Sequence, residues 1–91
     1  MAKLYRDRDG EGHYGSVVNA LDPNEFDEDT GNFKTVGHEP MVGYMLFIGT
    51  VTGGMFSDRD WWRTTPITEI LSDDGDVVRF RTRNSTYTFE R

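Results

Sequence analysis

The chain contains no cysteine, which excludes a disulfide framework and a thiolate metal site and fits a reducing compartment. It has no apolar run approaching the ~20 residues of a membrane-spanning helix; the longest, residues 41–48 (MVGYMLFI), is far shorter. The opening MAKLYRDRDG lacks the apolar stretch that marks a secretory signal. A soluble, cytoplasmic protein with no membrane association is therefore expected. Positive charge is also scarce: ten Lys and Arg stand against sixteen Asp and Glu, for a net charge of −6. Duplex nucleic-acid binders gain affinity from a basic face that releases counterions, so general duplex binding is not expected.

Signatures of catalysis are missing too. There is no Gly-x-Ser-x-Gly elbow, and Gly49-Thr50-Val51-Thr52-Gly53-Gly54 lacks the lysine and the following helix of a phosphate loop. Asp7-x-Asp9-Gly10 and Asp27-x-Asp29-x-Gly31 echo the start of a calcium loop without the bidentate glutamate that completes one. His13 and His38, with Glu11 and Glu39 nearby, are the weak remaining candidates for a metal or acid/base site. A non-enzymatic protein without metal or cofactor is expected.

What is present points to strands. Residues 67–71 are apolar and β-branched, residues 72–76 (SDDGD) have turn chemistry, and residues 77–82 alternate Val78, Phe80 and Thr82 with Arg79 and Arg81. With Asn84-Ser85 as a two-residue turn, Thr82 would face Tyr87, Phe80 would face Phe89 and Arg79 would face Glu90. The opposite face would carry Arg79, Arg81, Arg83, Thr86, Thr88 and Glu90. Asn84-Ser85-Thr86 matches a glycosylation sequon but reads as a turn. Residues 41–52 are apolar on both faces, with Gly43 and Gly49 as bends and Gly53-Gly54 as a loop. Ser57-Asp58-Arg59-Asp60 resembles a capping box.

The first forty residues hold nine acidic and four basic side chains. Residues 3–6 suit a short strand and residues 7–12 a loop. Residues 14–21 fit a helix or a buried strand equally well. Asp22-Pro23-Asn24 should break that element, and residues 25–32 (EFDEDTGN) should form a protruding acidic loop anchored to the body by Phe26 and Phe33. The expectation is a single domain over 1–91, all-β and mainly antiparallel: an irregular acidic segment over 1–40 and an antiparallel β core over 41–91. Such a chain buries only about 60–65% of its unfolded surface, which favours partner contacts or a homo-oligomer formed through the Met41–Phe47 face or an exposed tryptophan.

Two clusters stand out as binding candidates. Arg59, Trp61, Trp62 and Arg63 place adjacent tryptophans on an extended segment, so one side chain can enter the core while the other faces outward. Trp and Arg are residue types that dominate interfaces, although two tryptophans can also simply cap a small barrel. Arg79, Arg81 and Arg83 could hold an anion, or be neutralised by Glu69 and Glu90. Glu25, Asp27, Glu28 and Asp29 form a candidate partner loop.

The segments Trp62-Arg63-Thr64-Thr65-Pro66-Ile67-Thr68-Glu69-Ile70-Leu71 and Val78-Arg79-Phe80-Arg81-Thr82-Arg83-Asn84-Ser85-Thr86-Tyr87 resemble a pattern in small bacteriophage-encoded proteins: W-x-T-T/S-x-V/I-x-x-I/L, a variable turn, then V-x-F-x-T-x-N-S-x-Y. A glycine-bearing strand like residues 42–49 precedes it there. The resemblance covers about half of the chain and implies a phage origin and a small, partly open barrel of SH3-like character. It makes a non-catalytic accessory protein that binds a host protein in the host cytoplasm the leading expectation. A binder of a nucleotide or other anionic small molecule, or a minor virion or packaging component, are the alternatives.

The acidic loop over residues 22–32 is expected to bind no calcium, because flexible carboxylates without a complete cage lose ordering entropy before they coordinate. Calcium titration should leave the melting temperature unchanged; a shift that depends on Asp27 and Asp29 would count against this.

Overall fold

The computed structural model of the chain describes residues 2–29, 31–49 and 61–91. The Gly53-Gly54 loop, the capping-box residues Ser57 to Asp60 and the candidate Arg59 lie outside the described residues.

The described residues form nine strands: β1 (Ala2–Arg6), β2 (Gly12–Gly15), β3 (Val17–Asp27), β4 (Asn32–Gly37), β5 (Met45–Gly49), β6 (Trp61–Arg63), β7 (Ile67–Asp73), β8 (Val77–Thr82) and β9 (Thr86–Glu90). They make a five-stranded sheet in the order β2-β1-β9-β8-β7 and a four-stranded sheet in the order β4-β3-β5-β6. Every pairing is antiparallel. The protein is therefore all-β, as the alternating C-terminal half predicts. Among the described residues the two sheets do not share a hydrogen-bonded ladder that would close them into one barrel.

The core lies between the sheets. Leu4, Val78, Phe80, Tyr87 and Phe89 come from the five-stranded sheet, with Ile67 at the start of its edge strand, and Leu46 and Ile48 come from the four-stranded one. Ala2, Val18, Trp62 and Ile70 close its margins. At one corner the sheets come into backbone contact: a Cβ on Gly15 would stand 2.3 Å from the Gly49 carbonyl oxygen. Glycine is required at position 15 for β2 to cross β5 so closely.

The recurrent Thr-Thr-Pro segment is the passage between sheets. Thr64 is buried, its backbone N–H donates to the Leu46 carbonyl at 2.9 Å, and its hydroxyl accepts the Leu46 N–H at 3.0 Å. That hydroxyl in turn donates to the Thr65 carbonyl at 2.7 Å. Proline then holds Thr65 extended, and the chain enters β7, where the Ile67 N–H donates to the Tyr44 carbonyl at 2.9 Å. The turn is shorter than the expected residues 72–76: β7 runs on through Ser72 and Asp73, which pair with Arg79 and Val78, and residues 74–76 make the turn. The Asp74 carboxylate accepts the Val77 N–H at 2.7 Å and the Asp76 N–H at 3.0 Å, which holds its pKa below the usual aspartate value. Gly75 supplies the positive φ of +94°.

Several expectations are corrected. The C-terminal hairpin pairs Phe80 with Tyr87, Val78 with Phe89 and Val77 with Glu90, two residues out of the register predicted with Asn84-Ser85 at the turn. The turn centres on Arg83-Asn84, because the Thr82 hydroxyl accepts the Asn84 and Ser85 N–H groups while the Thr82 N–H donates to the Ser85 carbonyl at 2.8 Å. A shift of two preserves the faces, so Phe80 and Phe89 remain buried together. Residues 41–44 form a turn with Gly43 at φ +93°, and the strand starts only at Met45.

The acidic first forty residues are mostly strand. Residues 14–21 are extended, not helical, and β3 runs on through Asp22-Pro23-Asn24, which only shifts its register against β4 between Asp22 and Phe26. Residues 25–29, 31 and 32 therefore belong to a β3–β4 hairpin rather than a free loop. Phe26 is 53% exposed and packs edge-on against Phe33 at 4.9 Å. The two rings stabilise the hairpin against itself instead of anchoring it to the core.

Phe80 is wholly buried, so Phe80→Ala should destabilise the protein by about 3–5 kcal/mol through lost transfer energy and the cavity left behind. Denaturant unfolding should show a lower midpoint with an unchanged slope.

Candidate functional site

The outward face of the four-stranded sheet does not look like a solvated face. Asn19 lies opposite Phe47, Leu21 opposite Met45 and Thr35, and Phe47 opposite Arg63, while Trp61 lies opposite Gly49. Strand alternation puts all of these side chains on the side away from the core. Leu21 and Met45 are buried there, only 8% and 7% exposed. Leu21 lines a groove of about 390 Å³ bordered by Asn19, Phe33, Phe47, Trp61 and Arg63. A half-solvated antiparallel sheet normally shows polar residues on this side.

Aromatic and cationic side chains organise the groove. Phe47 and Trp61 stack with centroids 5.8 Å apart and planes 23° apart. The Arg63 guanidinium lies 5.1 Å from the Phe33 ring centre and 5.8 Å from that of Trp61. Such contacts contribute about 0.5–1 kcal/mol each at exposed sites.

The adjacent tryptophans divide as extended backbone requires. Trp61 is 38% exposed in the groove, whereas Trp62, opposite Ile48, packs on the core beneath the Arg6 guanidinium at 5.5 Å. The Trp62 Nε1–H is buried and has no hydrogen-bond partner among the described residues. Arg6 is itself fixed by Asp9 at 2.6 Å; this hydrogen bond raises the arginine pKa and lowers that of the aspartate.

The second candidate cluster is elsewhere. Arg79 and Arg81 lie on the outer face of the five-stranded sheet and are engaged by carboxylates. Arg79 binds Asp7 at 2.8 Å, and Asp7 also accepts the Thr88 hydroxyl at 2.8 Å. Arg81 pairs with Glu69. The expected Arg79–Glu90 pair is absent because the register places Val77 opposite Glu90. Arg83 sits exposed in the hairpin turn. These arginines do not join Trp61 and Arg63 in one site.

The acidic residues do adjoin the groove. Glu25, Asp27, Glu28 and Asp29 are exposed at the β3–β4 tip, where the Asp27 carboxylate accepts the Asp29 N–H at 2.8 Å and its carbonyl accepts the Gly31 N–H at 2.8 Å. A shallow depression lined by Glu25, Asp27, Glu28 and Lys34 shares Asn32 and Phe33 with the aromatic groove. His38 Nδ1 lies 3.0 Å from the Val18 carbonyl and 3.0 Å from Asn19 Oδ1, while His13 is in the other sheet, on β2. Among the described residues no group of three or more His, Asp or Glu is placed to hold a metal ion. Asn19, Leu21 and Phe33 were not singled out as site residues from the sequence. Their alternation across β3 and β4 is the relevant signal, but the turn-like composition around Pro23 conceals it.

No protein-family model, curated protein or solved structure matches this chain.

Trp61 should dominate the quenchable tryptophan fluorescence. Trp61→Phe is expected to remove the acrylamide-accessible component with little loss of stability, whereas Trp62→Ala should destabilise the fold by about 3 kcal/mol or more. Equal quenching of the two single-tryptophan variants would contradict this division.

Proposed function

We propose that the chain is a non-catalytic bacteriophage accessory protein that binds and modulates a host protein, and that the groove bordered by Phe33, Phe47, Trp61 and Arg63 is its contact surface. The observation that carries this reading is the aromatic groove on the outward face of the four-stranded sheet, where solvation alone favours polar side chains. Stacked aromatics beside an arginine, over the buried Leu21, have the composition of an interface centre with a polar rim. The acidic tip at Glu25, Asp27, Glu28 and Asp29 supplies that rim and a means of steering a basic partner. The phage setting rests on the resemblance of residues 62–71 and 78–87. We read the two sheets, in contact at Gly15 and Gly49, as a partly open barrel of SH3-like character.

A second reading is favoured by one observation. Arg63 and Asn19 present polar side chains among three aromatic rings, a combination that suits a nucleotide or similar anion bound by stacking. Burial of the same groove between two copies of the chain would account for self-association.

The test is affinity purification of the tagged protein from host lysate, in parallel with Trp61→Ala and Phe47→Ala. A host protein retained stoichiometrically by the wild type and about thirtyfold more weakly by Trp61→Ala, the effect of losing ~2 kcal/mol at an interface centre, is the expected result. Equal retention would overturn the assignment of the groove. A stoichiometric small-molecule mass in native mass spectrometry would favour the second reading.

A further inference from the structure

The groove already holds a ligand-like group, and it is a cation. Arg63 extends along the outward face so that its guanidinium lies over both Phe33 and Trp61. Among the described residues no carboxylate pairs with it, although most other arginines of the protein have such a partner. The electron-rich faces of two rings therefore do the holding. Arg63 is solvent-exposed, so it can leave this position without breaking a buried contact.

Charge around the groove has the sign that suits an incoming cation. Phe33 belongs to both the groove and the acidic depression, so Glu25, Asp27 and Glu28 stand immediately beyond one of the two rings. Lys34 is the single basic side chain lining that depression. A polyanion lying along the groove would have to cross these carboxylates, whereas a basic chain would gain from them. β4 is an edge of its sheet among the described residues, which leaves room beside Phe33 for an extended segment.

Resting on the reading of the groove as a protein-contact surface, we propose that Phe33 and Trp61 form a guanidinium clamp. It takes an arginine side chain from an extended, basic segment of the partner polypeptide, and Arg63 is the internal occupant that this arginine displaces. The acidic tip then receives the flanking basic residues of the same segment. Arg63, released, is free to pair with a carboxylate of the partner.

The test uses the full chain and four defined probes: a nine-residue Gly/Ser peptide bearing three arginines, its lysine and aspartate counterparts, and a ten-nucleotide thymidine strand. The arginine peptide should bind more tightly than the other three. Its affinity should fall about five- to thirtyfold in Trp61→Ala, the range set by an exposed to a desolvated cation–π contact. It should fall by a similar factor in Glu25→Gln/Glu28→Gln, whose exposed positions leave the fold intact. Arg63→Ala should strengthen binding severalfold, because the clamp is then vacant. Weaker binding by Arg63→Ala, tighter binding of the aspartate peptide or the thymidine strand, or no binding of the arginine peptide at millimolar concentration would each overturn the clamp. Trp61-dependent retention of a host protein in any of these cases would leave the broader contact-surface reading standing.

Discussion

Ile48 and Trp62, paired across β5 and β6, are held against the apolar face that β1, β8 and β9 present, and that contact sets the orientation of everything on the four-stranded sheet. Because successive side chains of a strand point to opposite sides, burying Ile48 and Trp62 sends Phe47, Trp61 and Arg63 outward together. The groove is thus the reverse side of the core. A change that loosened Trp62 would tilt β6 and move both ring and guanidinium of the site, even though Trp62 packs on the opposite, core side of the sheet.

The chain holds its second face by different means. Outward arginines of the five-stranded sheet are matched to carboxylates at Asp7 and Glu69, and exposed pairs of this kind contribute little to stability. They neutralise the surface instead. The protein therefore has one face where Arg79 and Arg81 are paired with carboxylates and one whose arginine is held by aromatic rings beside exposed acidic residues at a hairpin tip. That asymmetry is the physical basis of our proposal that recognition lies on the four-stranded side.

Local polar contacts close the ends of the strands. Thr64, Thr82 and Asp74 each use a side-chain oxygen to accept backbone N–H groups where a ladder stops or a turn begins. Buried or half-buried backbone donors need such partners. This accounts for Thr64 and Thr82 in structural terms: their side chains satisfy backbone groups of the fold.

Much of the architecture was legible in the sequence. Alternation in residues 77–82 identified Phe80 as core, SDDGD and the residues after Thr82 marked turns, and adjacency alone required Trp61 and Trp62 to diverge. Period-two patterning is a local property, and it fixes which residues share a face. It carries no information on which face will be covered or how far one strand slides along another. Those were decided by tertiary structure: Thr82 bonding shifted the hairpin by two residues, pairing with Ile48 chose Trp62 for the core, and the bulge past Asp22 carried β3 through a proline that reads as a break. The groove depends most heavily on long-range pairing. Asn19, Phe33, Phe47 and Trp61 come from four different strands, and only the order β4-β3-β5-β6, a product of burial and backbone hydrogen bonding over the whole chain, brings them side by side.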